Sequence, residues 1–215
     1  MKEKVFFGRI KSRKLSNLKL FFLNRFKKDF IFDFNKNLKG NYILEIGFGL
    51  GDNILNLAKN NSKNFYVGVD PYLNGFANVI YNCKIHNIKN IFLIDKPIQI
   101  ILEQFKKNFF SKVFVLFPDP WIKNRQKKRR LISFFFLKNL LSKIKKNGSL
   151  IVATDDENYF NEIMKVINFF NIKNETLKVE TSLNDPNYST KYYKRALDSK
   201  KKVFFLNIEK IKNLD

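Results

Sequence analysis

LEIGFGLGDN, residues 44–53, decides the fold. A β-rich run, YILEI at 42–46, leads into it, three glycines punctuate it, and a helical pattern opens behind it. Backbone can approach a ligand closely only where side chains are absent, and Gly47, Gly49 and Gly51 provide that between a strand and a helix. Their spacing is G-x-G-x-G, not the G-x-G-x-x-G of nicotinamide dinucleotide sites, and an acid, Glu45, precedes them.

Outward from this turn, short β-rich runs alternate with helical patterns: FYVGVD at 65–70, IFLID at 91–95, KVFVLF at 112–117 and SLIVAT at 149–154. Phe76, Val79, Ile80 and Cys83 recur at i, i+3, i+4, i+7, as do Ile98, Ile101, Leu102 and Phe105, and again Phe160, Ile163, Met164 and Ile167. Strands separated by helices need crossover connections, which are right-handed in nearly all proteins and build a parallel sheet covered on both faces. Two later runs, LKVETSL at 177–183 and KVFFLNI at 202–208, have no long helix between them and predict an antiparallel pair at an edge. The expected architecture is therefore α/β and Rossmann-like: a doubly wound, mostly parallel seven-stranded sheet with an antiparallel edge strand, over residues 41–215. Residues 1–40 form a basic, aromatic extension carrying Arg9, Lys11, Arg13 and Lys14 ahead of a short amphipathic helix.

The chain has 215 residues, 45% hydrophobic, with 25 Phe, which is enough for one domain and its core despite the heavy charge. Lys and Arg number 41 against 19 acids, a net +22 that draws a protein to polyanions. Abundant Lys, Asn, Ile and Phe also follow from an AT-rich genome, so clustering near a site carries more weight than the total. One Cys and one His exclude a disulfide framework, a Cys/His zinc quartet and HExxH. Cys83 and His86 lie three apart on an expected helix and read as a buried thiol beside a surface imidazole, so no metal is expected. No run approaches the roughly 20 apolar residues of a membrane span, and the basic start lacks an apolar core, so a cytoplasmic location is expected.

The carboxylates narrow the ligand. Asp70 ends the second β-run, where an acid can accept both ribose hydroxyls, and Asp95 ends the third, where an adenine amine needs an acceptor. Taken singly, an Asp at a strand end is an ordinary cap. Three successive strands each closing on an acid beside one glycine turn favour a ligand. No G-x-x-x-x-G-K-[ST] loop exists, and these acids would repel phosphates. A cationic sulfonium suits such a crevice, and the glycine turn resembles the first motif of class I methyltransferases, with S-adenosylmethionine as the implied cofactor.

The fourth β-run leads into FPDPWIKNRQKKRRL, residues 117–131. Two prolines stiffen the turn and fix where Asp119 and Trp121 point. An indole beside an acid at a strand's carboxyl end could stack on an unpaired base. Lys123, Arg125, Lys127, Lys128, Arg129 and Arg130 follow, six basic residues in eight positions. Read as a helix start, they oppose the macrodipole, a conflict that phosphate binding would resolve.

EIGFGxG, FPDPWxKxR, KRR and VATD together resemble the tRNA (guanine-N7)-methyltransferases, over roughly residues 5–208, with FGRIKSRKLS similar to that family's N-terminal arm. The resemblance implies that Glu45, Asp70, Asp95 and Asp119 contact the methyl donor, with Asp119 catalytic. It implies RNA contacts from Lys123 and Asp155, and from Thr190, Lys191, Tyr192 and Tyr193, which resemble the family's T-[KR]-[YF]-E motif. Trp121, Arg125, Lys128, Arg129 and Arg130 complete the expected substrate set. The implied reaction is methyl transfer to N7 of a variable-loop guanine in tRNA, by a monomer or homodimer that needs no membrane. Three positions depart from the pattern: Gln126 where His is usual, Tyr193 where Glu is usual, and Asp70 where Glu is commoner. Methylation of another RNA or DNA base, and noncatalytic RNA binding on a degenerate methyltransferase fold, stay open at this stage.

Overall fold

In the computed structural model, residues 8, 10, 14–36, 39–174, 177–183 and 190–212 are described. Of the basic residues read in the extension, Arg9, Lys11 and Arg13 lie outside them, and Lys14 is exposed. The chain divides into two compact units, Met1–Gln104 and Phe105–Asp215.

The first unit holds helix α1 (Asn17–Phe30), strands β1 (Asn41–Ile46), β2 (Asn64–Val69) and β3 (Ile91–Ile94), and helices α2 (Asp52–Asn60), α3 (Leu73–Ile85) and α4 (Ile98–Ile101). Its strands pair in the order β3-β2-β1, both pairings parallel, as alternating strand and helix required. The register sets Ile46 level with Val69 and Val69 level with Ile94. Beyond the last rungs, the Gly47 N–H donates to the Val69 carbonyl at 2.8 Å and the Asp70 N–H to the Ile94 carbonyl at 3.1 Å. Gly47, Asp70 and Asp95 thus leave the sheet along one edge.

Phe76, Val79, Ile80 and Cys83 all face inward from α3, and His86, the C-cap of that helix, is exposed. Burial pushes the Cys83 thiol up to about 12, so it stays protonated and inert. Helix α1 lies against α3, where Lys19 Nζ donates to Asn78 Oδ1 (2.7 Å) and Lys84 pairs with Asp29 (2.9 Å). The amphipathic stretch from Ile98 is shorter than its spacing predicts: α4 has four residues and tightens into a 3₁₀ turn at Leu102–Gln104. Ile98, Ile101, Leu102 and Phe105 are buried nonetheless, because a single wide turn suffices to bring them to the core.

The second unit holds β4 (Phe110–Leu116), a 3₁₀ segment (Asn124–Arg129), α5 (Phe134–Lys143), β5 (Ile144–Thr154), α6 (Glu157–Asn174), β6 (Leu177–Leu183), α7 (Lys191–Asp198) and β7 (Phe204–Lys210). Its strands run in the order β4-β5-β7-β6, with β4 and β5 parallel and β7 antiparallel to both its neighbours. The seven strands and the antiparallel pair match the architecture read from the sequence. Leu116 stands opposite Ala153, and the Phe117 N–H donates to the Ala153 carbonyl at 2.8 Å. Asp119 and Asp155 therefore leave this unit's sheet at the same end.

Phe76 is fully buried in the first turn of α3, so Phe76→Ala removes a large packed ring and leaves a cavity. Urea unfolding should show a loss of about 3–5 kcal/mol; a loss under about 1 kcal/mol would mean that the ring is not part of the core.

Candidate active site

In the first unit the glycine turn takes a conformation that side chains disfavour: Gly47, Gly49 and Gly51 have φ of 74°, 55° and 87°. A Cβ on Gly47 or Gly49 would meet nothing within 4 Å, so both present bare backbone to open space. Gly75, on α3, is the closest approach in the turn's surroundings. A Cβ there would lie 1.7 Å from the Gly49 carbonyl oxygen, so only glycine lets the helix support the loop.

Carboxylates surround this turn. Asp70 accepts the Gly49 N–H at 2.8 Å and the Tyr72 N–H at 2.9 Å, one on each oxygen, and so latches the glycine turn to the end of β2. Glu45 is buried and accepts from Asn53 Nδ2 at 3.0 Å. Burial, opposed by the Asn53 hydrogen bond and reinforced by the charges of Asp70 and Asp52, raises its pKa from 4.5 to about 8. Asp95 stands at the same strand edge, half-exposed, in a 2.6 Å ion pair with Lys27 of α1. Lys27 Nζ also lies 5.4 Å from the Phe76 ring centroid.

In the second unit the Pro-Asp-Pro-Trp corner is flanked by strained residues: Phe117 has φ 53° and Trp121 φ 44°. Asp119 is exposed, while Trp121 is half-buried with the Arg129 guanidinium 5.2 Å from its ring centroid. The basic run does not start a long helix, in contrast to the expectation from sequence. It forms the 3₁₀ segment Asn124–Arg129, with Lys127, Lys128 and Arg129 in the last turn, and α5 begins later at a Ser133 cap. Cations at a helix C-terminus agree with the macrodipole, so the supposed conflict vanishes, and with it that argument for phosphate. Lys123, Arg125 and Lys128 are exposed, and Lys127 pairs with Glu162 at 3.4 Å. Arg130 departs from the expected outward set. It is buried, with Nε donating to the Pro120 carbonyl (2.6 Å) and Nη1 to Asn158 Oδ1 (3.2 Å), and it pairs with Glu162.

Asp155 is half-buried after β5 and pairs with Lys201 at 2.8 Å. The next residue, Asp156, caps α6 by accepting the Tyr159 N–H at 2.7 Å. Within the Thr-Lys-Tyr-Tyr motif the roles diverge. The Thr190 hydroxyl accepts the Tyr193 N–H at 3.0 Å as the N-cap of α7, and Tyr193 is buried edge-on against Phe205. Lys191 and Tyr192 face outward, and the Tyr192 ring, 59% exposed, stacks on Phe117 with centroids 6.2 Å apart. The motif thereby reaches the residue that opens the Pro-Asp-Pro-Trp corner.

The residues overlooked in the sequence are Gly75, Asn53, Lys27 and the α6 partners of Arg130. Gly75 carried a signal, since a glycine inside a helical pattern costs about 1 kcal/mol and needs a reason. Asn53, Lys27 and the α6 residues carried none. Among the described residues no group of His, Cys, Asp and Glu could hold a metal ion, and no helix is long and apolar enough to cross a membrane.

A family model described as "Putative methyltransferase" matches residues 39–206. The chain is 36% identical to a tRNA (guanine-N(7)-)-methyltransferase of Wolbachia pipientis wMel over 172 residues, 80% of this chain and 76% of that protein. It is 39% identical to a "Bifunctional methyltransferase" of Rickettsia prowazekii (strain Madrid E), covering 81% of this chain and 34% of that protein. The chain thus spans about a third of the length of the rickettsial relatives it matches. Among solved structures, an antibiotic-related methyltransferase aligns with a TM-score of 0.54 at 20% identity, covering 94% of this chain and 97% of the other. The antibiotic-resistance methyltransferase Kmr aligns with a TM-score of 0.58 at 13% identity, covering 82% and 91%. These structural likenesses show a methyltransferase-type fold.

Glu45 holds its proton to about pH 8 when folded and releases it near 4.5 when unfolded, so between these values the folded state binds more protons. Stability contributed by this site therefore falls as pH rises across that window. Replacing Glu45 by Gln should remove that slope: the melting temperature of wild type relative to Glu45→Gln should drop steadily from pH 5 to pH 8.5. Parallel profiles would show that Glu45 does not titrate in this range.

Proposed function

From the premise that the chain belongs to the tRNA (guanine-N7)-methyltransferase family, we propose that it transfers a methyl group from S-adenosylmethionine to N7 of a guanine in tRNA. The carrying observation is the level ending of β1, β2 and β3, which sets Gly47, Asp70 and Asp95 along one edge with Glu45 buried behind them. The Wolbachia relative supports the substrate class.

The donor set fits the cofactor. Gly47 and Gly49 offer bare backbone to a bulky ligand, and Asp70 would share its oxygens between two loop amides and the ribose hydroxyls. Asp95 would accept from the adenine amine once Lys27 gives way. Glu45, destabilised as an anion by burial and by neighbouring acids, would be relieved by a cationic ligand, so cofactor binding below about pH 8 should release a proton. S-adenosylmethionine supplies an electrophilic methyl on a positively charged sulfur.

Guanine N7 has a lone pair and no proton, so the chain needs no general base; its task is alignment. Transfer to N7 would release the donor as its neutral thioether and leave the positive charge on the purine. Asp119, on its rigid corner, would stabilise that charge, with Asp155 holding the guanine's donor edge. Lys123, Arg125, Lys128 and Arg129 would hold the RNA backbone, and Lys191 and Tyr192 would reach the substrate from α7. Thr190 and Tyr193 would serve that contact indirectly, by setting the helix. A basic extension through residue 40 would precede a catalytic domain from residue 41. A cytoplasmic monomer or homodimer would suffice for such a substrate.

Incubation with labelled donor and unmodified tRNA, followed by nucleoside mapping, should yield N7-methylguanine; a different modified nucleoside would reject the substrate assignment. Asp119→Ala should lower turnover at least about 100-fold, the scale of a lost electrostatic stabiliser, with donor affinity and melting temperature little changed. Near-normal turnover would remove Asp119 from the chemistry. Replacing Lys128 and Arg129 together by Ala should weaken tRNA binding, and flatten its dependence on salt by about 0.9 in log–log slope for each phosphate no longer neutralised. An unchanged slope would place the RNA elsewhere.

A further inference from the structure

We propose that Arg130 is a positioning residue, a buried brace that ties the Pro-Asp-Pro-Trp corner to the first turns of α6, and not one of the RNA-binding cations beside it. The inference deepens the proposed function and rests on it for the consequence for turnover, though not for the brace itself.

The guanidinium is held from several sides. The Arg130 side chain is 5% exposed, and its Nε donates to the Pro120 carbonyl at 2.6 Å. Its Nη1 donates to Asn158 Oδ1 at 3.2 Å and pairs with the Glu162 carboxylate. Its guanidinium carbon lies 4.7 Å from the centroid of the Tyr159 ring. Tyr159 returns the chain to the same place, for its hydroxyl accepts the Ile132 N–H at 3.1 Å, two residues past Arg130.

The endpoints give the brace its meaning. Pro120 stands between Asp119 and Trp121, in a corner where Phe117 and Trp121 both have positive φ. Such residues cost about 1–3 kcal/mol each and persist only where their surroundings hold them. Asn158, Tyr159 and Glu162 belong to the opening turns of α6, directly after Asp155 and its capping neighbour Asp156. One guanidinium therefore fixes, within this unit, both the loop that presents Asp119 and the helix start that presents Asp155.

The chemistry requires arginine. Nε and Nη1 point in different directions from one rigid plane, and that plane also lies against an aromatic ring. An ammonium is a point charge that can satisfy one of these partners but not all three. Burying a charge is tolerable only with such complete pairing. A phosphate-binding cation has the opposite needs, exposure and mobility, which Arg125 and Lys128 meet.

The test compares Arg130→Lys, Arg130→Met and Asn158→Ala with the wild-type chain. Trp121 is the single tryptophan, so its fluorescence reports the corner directly, with no substrate present. Arg130→Lys should at least double acrylamide quenching of Trp121 while the protein stays folded at the assay temperature. With donor and tRNA its kcat should fall about 100-fold, the tRNA KM staying within about threefold. Arg130→Met should leave the salt slope of tRNA binding at the wild-type value, whereas a cation withdrawn from a phosphate would lower it by about 0.9. Should Arg130→Met not fold, Asn158→Ala, which removes one acceptor, should still raise quenching and lower kcat about tenfold. Rescue of both quenching and kcat by lysine, or a reduced salt slope in a folded Arg130→Met, would overturn the brace. If wild type forms no N7-methylguanine, the proposed function fails, and unaltered Trp121 quenching in Arg130→Lys and Asn158→Ala would still overturn the brace on its own.

Discussion

Parallel pairing in register is the constraint on which the rest of the first unit depends. Because Ile46, Val69 and Ile94 stand level across three strands, the residues that follow them leave the sheet together, and two of those exits are pinned by backbone bonds from Gly47 to Val69 and from Asp70 to Ile94. A shift of one residue in either pairing would turn every side chain of that strand to the opposite face and carry its terminal acid out of line. The Asp70 carboxylate then does two jobs. It accepts the Gly49 amide of the glycine turn on one oxygen and the Tyr72 amide at the start of α3 on the other.

Charge is sorted by locality. The chain carries +22 overall, yet at the glycine turn burial, with the charges of Asp70 and Asp52 added to it, raises the pKa of Glu45. Leu44, Val67 and Leu93 are fully buried in the strands beneath that turn. The exposed pairs, such as Lys201 with Asp155, contribute little stability because solvent screens them.

Strands and glycine turn were legible because their signals are local: β-rich runs of fixed length, glycines where φ is positive, acids one residue past a strand. Side-chain direction was not legible. Arg130 follows Lys128 and Arg129 with no change in composition, and only the packing of α6 against the corner turns it inward. The Thr190 hydroxyl caps α7, a role that its position before the Lys-Tyr-Tyr helix could have suggested. Lys27 pairs with Asp95 across 68 positions, a separation at which no sequence pattern operates.

The departure at Tyr193 follows from the same geometry. Position 193 lies on the inner side of α7, where the ring is 6% exposed and packs edge-on against Phe205 of β7. A carboxylate there would need partners to offset its burial, whereas a phenol brings apolar surface and one hydroxyl. The Tyr193 ring ties α7 to the sheet through Phe205 and leaves no carboxylate at this position. Tyr192, next in line and outward, is thereby held over Phe117, so the helix that lost an acid still delivers an aromatic face to the residue from which Asp119 is hung.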